Sequence, residues 1–147
     1  MERTSKGIVI DASVAAKWFI PEENSDKASK ILRKYTEGKI ELYAPDLLIY
    51  EVANVLRYRP DMTEEAHAMN SLFKLQLNLI PPSSNVISEA TKKAKVLNLS
   101  TYDACYVVIA ETLATNLITA DIKLYKKCKG IELVFLLKDL GEKWRID

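Results

Sequence analysis

The sequence predicts an α/β domain built on a parallel sheet of about five strands. Three observations lead there. Short runs rich in Val, Ile and Leu alternate with longer segments whose apolar residues recur at helical spacing. Caps, prolines and glycines punctuate the alternation. Two of the apolar runs, "IVID" at 8–11 and "LITAD" at 117–121, end in an aspartate, which places an acid at the carboxyl end of a buried strand.

The elements follow in order. The first strand covers 7–10, and a short helix over about 12–20 stops before Pro21. "NSDKASKILRKYTEG" opens at Asn24 or Ser25 as cap, shows Ala28, Ile31, Leu32 and Tyr35 on one face, and stops at Gly38. "IELYA" at 40–44 is the second strand. "PDLLIYEVANVLRYR" reads as a helix from Pro45, ended by Pro60. Thr63 opens another helix, and "LNLIP" at 77–81 is the third strand. "SNVISEATKKAKVLN" at 84–98 is a helix with a Lys-rich outer face. "STYDACYVVIAETLATN" at 100–116 starts at a Ser/Thr cap and is apolar enough to be buried. "LITA" at 117–120, a short helix ended by Gly130, and "IELVFL" at 131–136 complete the pattern.

Bulk properties bound the function. The 147 residues suit one domain over 1–147, and 48% hydrophobic residues can bury a full core. The longest apolar run, "CYVVIA" at 105–110, is too short to span a bilayer, and "MERTSKG" does not resemble a secretory leader. Cys105 and Cys128 are the only cysteines and form no CxxC, so a reducing cytoplasm is the expected compartment. The net charge of +1 is not that of a protein that coats nucleic acid. Gly7, Gly38, Gly130 and Gly141 are too far apart for a dinucleotide or phosphate loop.

Four acids remain to be explained. Asp11 and Asp121 end the first and fourth strands, and they converge if those strands are neighbours where the strand order reverses. Each also begins a helix, where an N-cap aspartate contributes about 1 kcal/mol, so capping alone is an adequate account of either one. Glu51 shares a helix face with Leu47, Leu48, Asn54 and Val55, and Asp103 shares one with Tyr106, Val107 and Ala110. Structural accounts exist here too: a pair with Arg57 or Lys17 for Glu51, and a favourable first-turn charge for Asp103. Together, four acids with few cations nearby in sequence suggest a metal. All-oxygen ligands select Mg2+ or Mn2+, ions that keep several waters and bind phosphate oxygens. Phosphodiester hydrolysis is then the natural chemistry, with the ion activating water and neutralising charge on the entering and leaving oxygens.

At this point the chain resembles PIN-domain proteins, and among them the VapC-type toxin ribonucleases of VapBC toxin–antitoxin pairs. The matching pieces are "VIDASVAAKWFIPEE" at 9–23, "APDLLIYEVANVL" at 44–56, "LSTYDACYVVIAETL" at 99–113 and "LITADIKL" at 117–124. The resemblance implies a three-layer α/β/α fold. It makes Asp11, Glu51, Asp103 and Asp121 the catalytic and metal-binding quartet, with Ser13 and Thr119 supporting it. It further implies endonucleolytic cleavage of single-stranded RNA to a 3′-hydroxyl and a 5′-phosphate. A homodimer and a small cognate antitoxin that blocks the acidic site are also implied. A haloacid-dehalogenase-type phosphatase fits less well, because Ser13 stands where it wants a second Asp.

Lys17 and Lys123 are the candidates for holding RNA phosphates, weighed against an ordinary solvated surface. Tyr102 can stack on a base or pack against a helix. His67 reads as a surface residue, Trp18 and Phe19 as core or dimer-interface residues, and Cys105 as a small buried side chain. Cys128, in "KKCKG", has basic neighbours that would lower its pKa but no partner base, and inert is the better reading. Two alternatives stand beside the toxin reading: a non-catalytic PIN-fold module that binds RNA or a protein partner, and a PIN nuclease of RNA processing or of DNA.

Overall fold

In the computed structural model, which describes residues 6–59 and 64–141, the predicted alternation becomes five strands and seven α-helices. The strands are β1 (Lys6–Ile10), β2 (Ile40–Pro45), β3 (Asn78–Ile80), β4 (Asn116–Thr119) and β5 (Val134–Leu136). The helices are α1 (Ala12–Ala15), α2 (Ser25–Thr36), α3 (Leu47–Arg57), α4 (Glu65–Lys74), α5 (Ser84–Leu97), α6 (Thr101–Leu113) and α7 (Ile122–Lys127). The sheet runs β3-β2-β1-β4-β5 and every pairing is parallel, the core of a three-layer α/β/α fold. Among the described residues no helix is long and apolar enough to cross a membrane.

Burial explains the order of the sheet. Ile8, Val9 and Ile10 in β1 and Leu117 and Ile118 in β4 are fully buried, as expected of central parallel strands covered on both faces. Helix α6 packs over β1, β2 and β4, and α5 lies against α6. The seam between those two helices is lined by Ala90, Ala94, Ala104, Cys105 and Val108, small side chains that let the backbones approach closely. Trp18 and Phe19 are half-buried against the core, and the Trp18 indole N–H donates to the Ala28 carbonyl at 2.9 Å, tying the turn after α1 to α2.

Several boundaries differ from expectation for local reasons. Pro45 continues β2 rather than opening α3: a missing N–H is tolerated at a strand end, and Asp46 N–H bonds the Ile80 carbonyl at 3.0 Å. Asn24 adopts a left-handed conformation and makes no side-chain cap. The Ser25 hydroxyl turns back to accept from Glu22 N–H at 2.8 Å. The 12–20 segment splits into α1 and a 3-10 turn over Ala16–Trp18. Residues 131–133 form turns instead of strand, so β5 is three residues long. Pro60 and Thr63, expected to end and begin helices, lie outside the described residues.

Candidate active site

The strand order reverses at one place in the sheet. From β1 the chain proceeds to β2 on one side, and from β4 to β5 on the other, so the gap between β1 and β4 is the switch point where such sheets form crevices. The register pairs Ile10 with Ile118, which brings Asp11 level with Thr119 just beyond the strand ends. The condition for convergence of the two strand-end acids is therefore met.

Asp11 is 6% exposed and enclosed by hydroxyls. Its Oδ1 accepts from Ser13 Oγ at 2.5 Å and from Val14 N–H at 3.3 Å, and its Oδ2 accepts from Thr119 Oγ1 at 2.5 Å. The two hydroxyls are themselves anchored to the β4–α7 connection: Ala120 N–H donates to Ser13 Oγ at 2.9 Å and Asp121 N–H to Thr119 Oγ1 at 3.0 Å. Asp11 caps α1 as the capping account requires, and the same geometry orients it toward the crevice. Burial pushes its pKa up to about 6. The Ser13, Thr119 and Val14 hydrogen bonds oppose that shift, and nearby Asp121 adds to it.

Asp121 is exposed and caps α7 through one oxygen, with Oδ1 accepting from Lys123 N–H at 2.9 Å and Leu124 N–H at 3.2 Å. Oδ2 carries no hydrogen bond among the described residues, so capping leaves that oxygen available. Asp103 enters from the first turn of α6, where Ser100 Oγ caps its N–H at 3.0 Å. Its pKa is raised by burial and then by Asp121. Glu51 enters from α3 and accepts from Tyr106 Oη at 2.5 Å. Burial raises its pKa, the Tyr106 bond opposes this, and Asp103 adds to it.

The expected basic partners of Glu51 are engaged elsewhere. Arg57 stacks on the Tyr58 ring at 4.3 Å, and the Lys17 ammonium bonds Glu22 Oε1 at 3.1 Å and the Glu23 carbonyl at 2.8 Å. All four acids line one cleft of about 340 Å³, together with Ala12, Ser13, Tyr50, Asn54, Val55 and Tyr106. No Lys, Arg or His is among those lining residues. A larger cavity, about 500 Å³, lies between α7 and β5, but it is mainly apolar and holds none of the four acids.

Of the RNA-contact candidates, Lys17 is held by the 22–23 loop and Lys123 is exposed in the first turn of α7. Tyr102 is 67% exposed beside Asp103, which removes the packing reading for it. His67 is exposed and outside the cleft. Cys128 is buried, and its pKa is pushed up to about 11, chiefly by desolvation, opposite to the lowering its basic neighbours suggested. Tyr106 emerges as a polar contact that sequence reasoning placed only on an apolar face. The available signal was a tyrosine in a buried run, whose O–H needs an acceptor.

Among the described residues, no three Asp, Glu, His or Cys side chains stand close enough to hold an ion unaided. An all-carboxylate donor set facing a common cleft still suits a hard divalent ion, which keeps waters and takes few direct protein ligands.

Comparison with known proteins places this geometry in a family. The family model for the PIN domain matches residues 8–130. The chain is 32% identical to Ribonuclease VapC3 of Pyrobaculum aerophilum over an alignment 126 residues long, which covers 82% of this chain and 93% of the relative. Among solved structures, a toxin-antitoxin complex from Klebsiella pneumoniae superposes with a TM-score of 0.67 at 16% identity, covering 88% of this chain and 97% of the other. Mycobacterium tuberculosis VapC20, a sarcin-ricin loop cleaving toxin, superposes with a TM-score of 0.64 at 12% identity, covering 81% and 93%. The fold, the switch-point crevice and these matches agree that the chain belongs to the PIN-domain family, among its VapC-type members.

Proposed function

We propose that this chain is a single-domain, divalent-metal-dependent endoribonuclease, the toxin of a type II toxin–antitoxin pair. It hydrolyses phosphodiester bonds of single-stranded RNA at the cleft of Asp11, Glu51, Asp103 and Asp121. The observation that carries the reading is the electrostatics of the cleft. Four carboxylates from four elements face one space with no basic side chain lining it, and burial and mutual repulsion raise the pKa of three of them. A phosphodiester cannot approach such a surface unless positive charge is supplied.

Mg2+ or Mn2+ would supply that charge, held by these acids partly through the waters such an ion keeps. When bound, it supplies Lewis acidity and neutralisation for phosphoryl transfer. The protein does the remainder. Ser13 and Thr119 orient Asp11 and favour its ionised form against burial, the α7 amides hold one oxygen of Asp121, and Ser100 caps the start of α6 that carries Asp103. Lys123, exposed two residues after Asp121, would meet a neighbouring RNA phosphate, and Tyr50 and Tyr102, 78% and 67% exposed, would offer rings to unpaired bases. A homodimer, a cognate antitoxin that occupies the cleft, and action in the cytoplasm complete the proposal; similarity to a protein named as a toxin and to a toxin-antitoxin complex supports the antitoxin.

The test is cleavage of single-stranded RNA by the purified chain. Activity should require Mg2+ or Mn2+, vanish with chelator, and fall more than about 100-fold in Asp11→Asn, beyond the 10–100-fold typical of losing an outer-sphere partner. Full activity in chelator, or in the folded Asp11→Asn variant, would defeat the proposal.

A further inference from the structure

We infer that Tyr106 is the positioning residue for Glu51: its hydroxyl, reaching across from α6 to α3, sets how that carboxylate is presented to a divalent ion. The inference rests on the reading of the cleft as an ion site. Tyr106 is 1% exposed and its Oη lies 2.5 Å from Glu51 Oε1. Among the described residues this is the one hydrogen bond recorded to the Glu51 carboxylate, and no other acceptor is recorded for the Tyr106 hydroxyl. A buried tyrosine hydroxyl needs an acceptor, and a half-buried glutamate on a flexible side chain needs something to limit its rotamers. Each meets the other's need.

The placement couples two acids through one helix. Asp103 and Tyr106 are three residues apart on the same face of α6. That face therefore presents one acid directly and fixes a second, on α3, through a hydroxyl. Tyr106 does for Glu51 what Ser13 and Thr119 do for Asp11. With Oε1 accepting from Tyr106, Oε2 is the oxygen left to face an ion or its water. Outer-sphere donors of this kind typically change metal affinity 10–100-fold when removed. Phenylalanine would keep the ring in the core and remove the hydroxyl alone.

The experiment is Mn2+ titration of the full chain, read as free aqua ion by electron paramagnetic resonance, for wild type, Tyr106→Phe, Glu51→Ala and the double variant. Tyr106→Phe should weaken Mn2+ binding about 10-fold or more while its circular dichroism and melting curve stay close to wild type. In the Glu51→Ala background, Tyr106→Phe should change binding less than about twofold, because a residue acting through Glu51 has nothing left to act on. Three results overturn the inference: Tyr106→Phe binding as wild type, an equal loss in both backgrounds, or a loss that tracks unfolding. Absence of Mn2+ binding by the wild type at millimolar ion defeats the ion-site reading itself, and this inference with it.

Discussion

Asp11→Asn should inactivate the protein and, in the absence of metal, make it more stable. Burial raises the Asp11 pKa from 3.8 to about 6, so the native state binds the proton more tightly than the unfolded chain. Stability contributed by this group is complete below pH 4 and is lost as the pH rises to 6. A difference of about 2 units at about 1.4 kcal/mol each gives about 3 kcal/mol of native-state penalty at pH 7. Asparagine removes the charge but turns an N–H2 toward a hydroxyl that now donates, Ser13 or Thr119, and one lost hydrogen bond costs about 1 kcal/mol. The net gain is about 2 kcal/mol at pH 7, or about 4–8 °C in Tm for a chain of this size. Thermal and urea melts of chelator-treated protein between pH 4 and 8 would measure it. The advantage of the variant should shrink as the pH falls through 6 and vanish near 4. Saturating Mg2+ should stabilise wild type and leave the variant unchanged. A variant no more stable than wild type at pH 7 in chelator, or a gain independent of pH, would refute the assignment of Asp11 as a desolvated acid.

Other substitutions separate roles that the sequence left overlapping. Asp121→Asn should keep the α7 cap, because asparagine caps as well as aspartate, and so hold stability within about 0.5 kcal/mol while RNA cleavage is lost; Asp121→Ala should lose about 1 kcal/mol as well. Equal stability of the two variants in denaturant titration would show that the cap is energetically idle. Ser13→Ala and Thr119→Val each remove a donor to the Asp11 carboxylate, so the acid limb of the pH–activity profile should move to higher pH and cleavage should fall about 10-fold. An unmoved acid limb would uncouple these hydroxyls from Asp11. Lys123→Ala should raise KM for RNA and reduce its salt dependence, whereas Lys17→Ala, whose ammonium is already bound to Glu22 and the Glu23 carbonyl, should change KM less than about twofold. The reverse ranking in steady-state kinetics would reassign the phosphate contact.

Much of the fold was legible in the sequence because parallel α/β order is written in local chemistry. β-branched runs mark strands buried on both faces, and Ser100 and Asp121 mark helix starts by bonding the amides that follow them. Local signals failed where two uses of one residue compete. Pro45 serves a helix start and a strand end equally well, and the pairing with β3 decided for the strand. Ser25 caps a helix in isolation but here closes the turn from Glu22. Cys128 has basic neighbours in sequence, yet packing buries it, and desolvation outweighs charges that lie in water.

The same division runs through the site. The sequence alone determined that Asp11 and Asp121 end apolar strands and that Glu51 and Asp103 lie on inward helix faces, since strand ends and helical periodicity are local properties. Only the tertiary structure decided that the four share one cleft, because that depends on β1 lying beside β4, a pairing between residues more than a hundred positions apart. It also decided that Glu51 answers to Tyr106 rather than to Arg57 or Lys17, and that Asp11 is held by Thr119. Hydrogen bonds of about 2.5 Å are set by which helix faces and strand ends meet, and no spacing along a chain encodes that on its own.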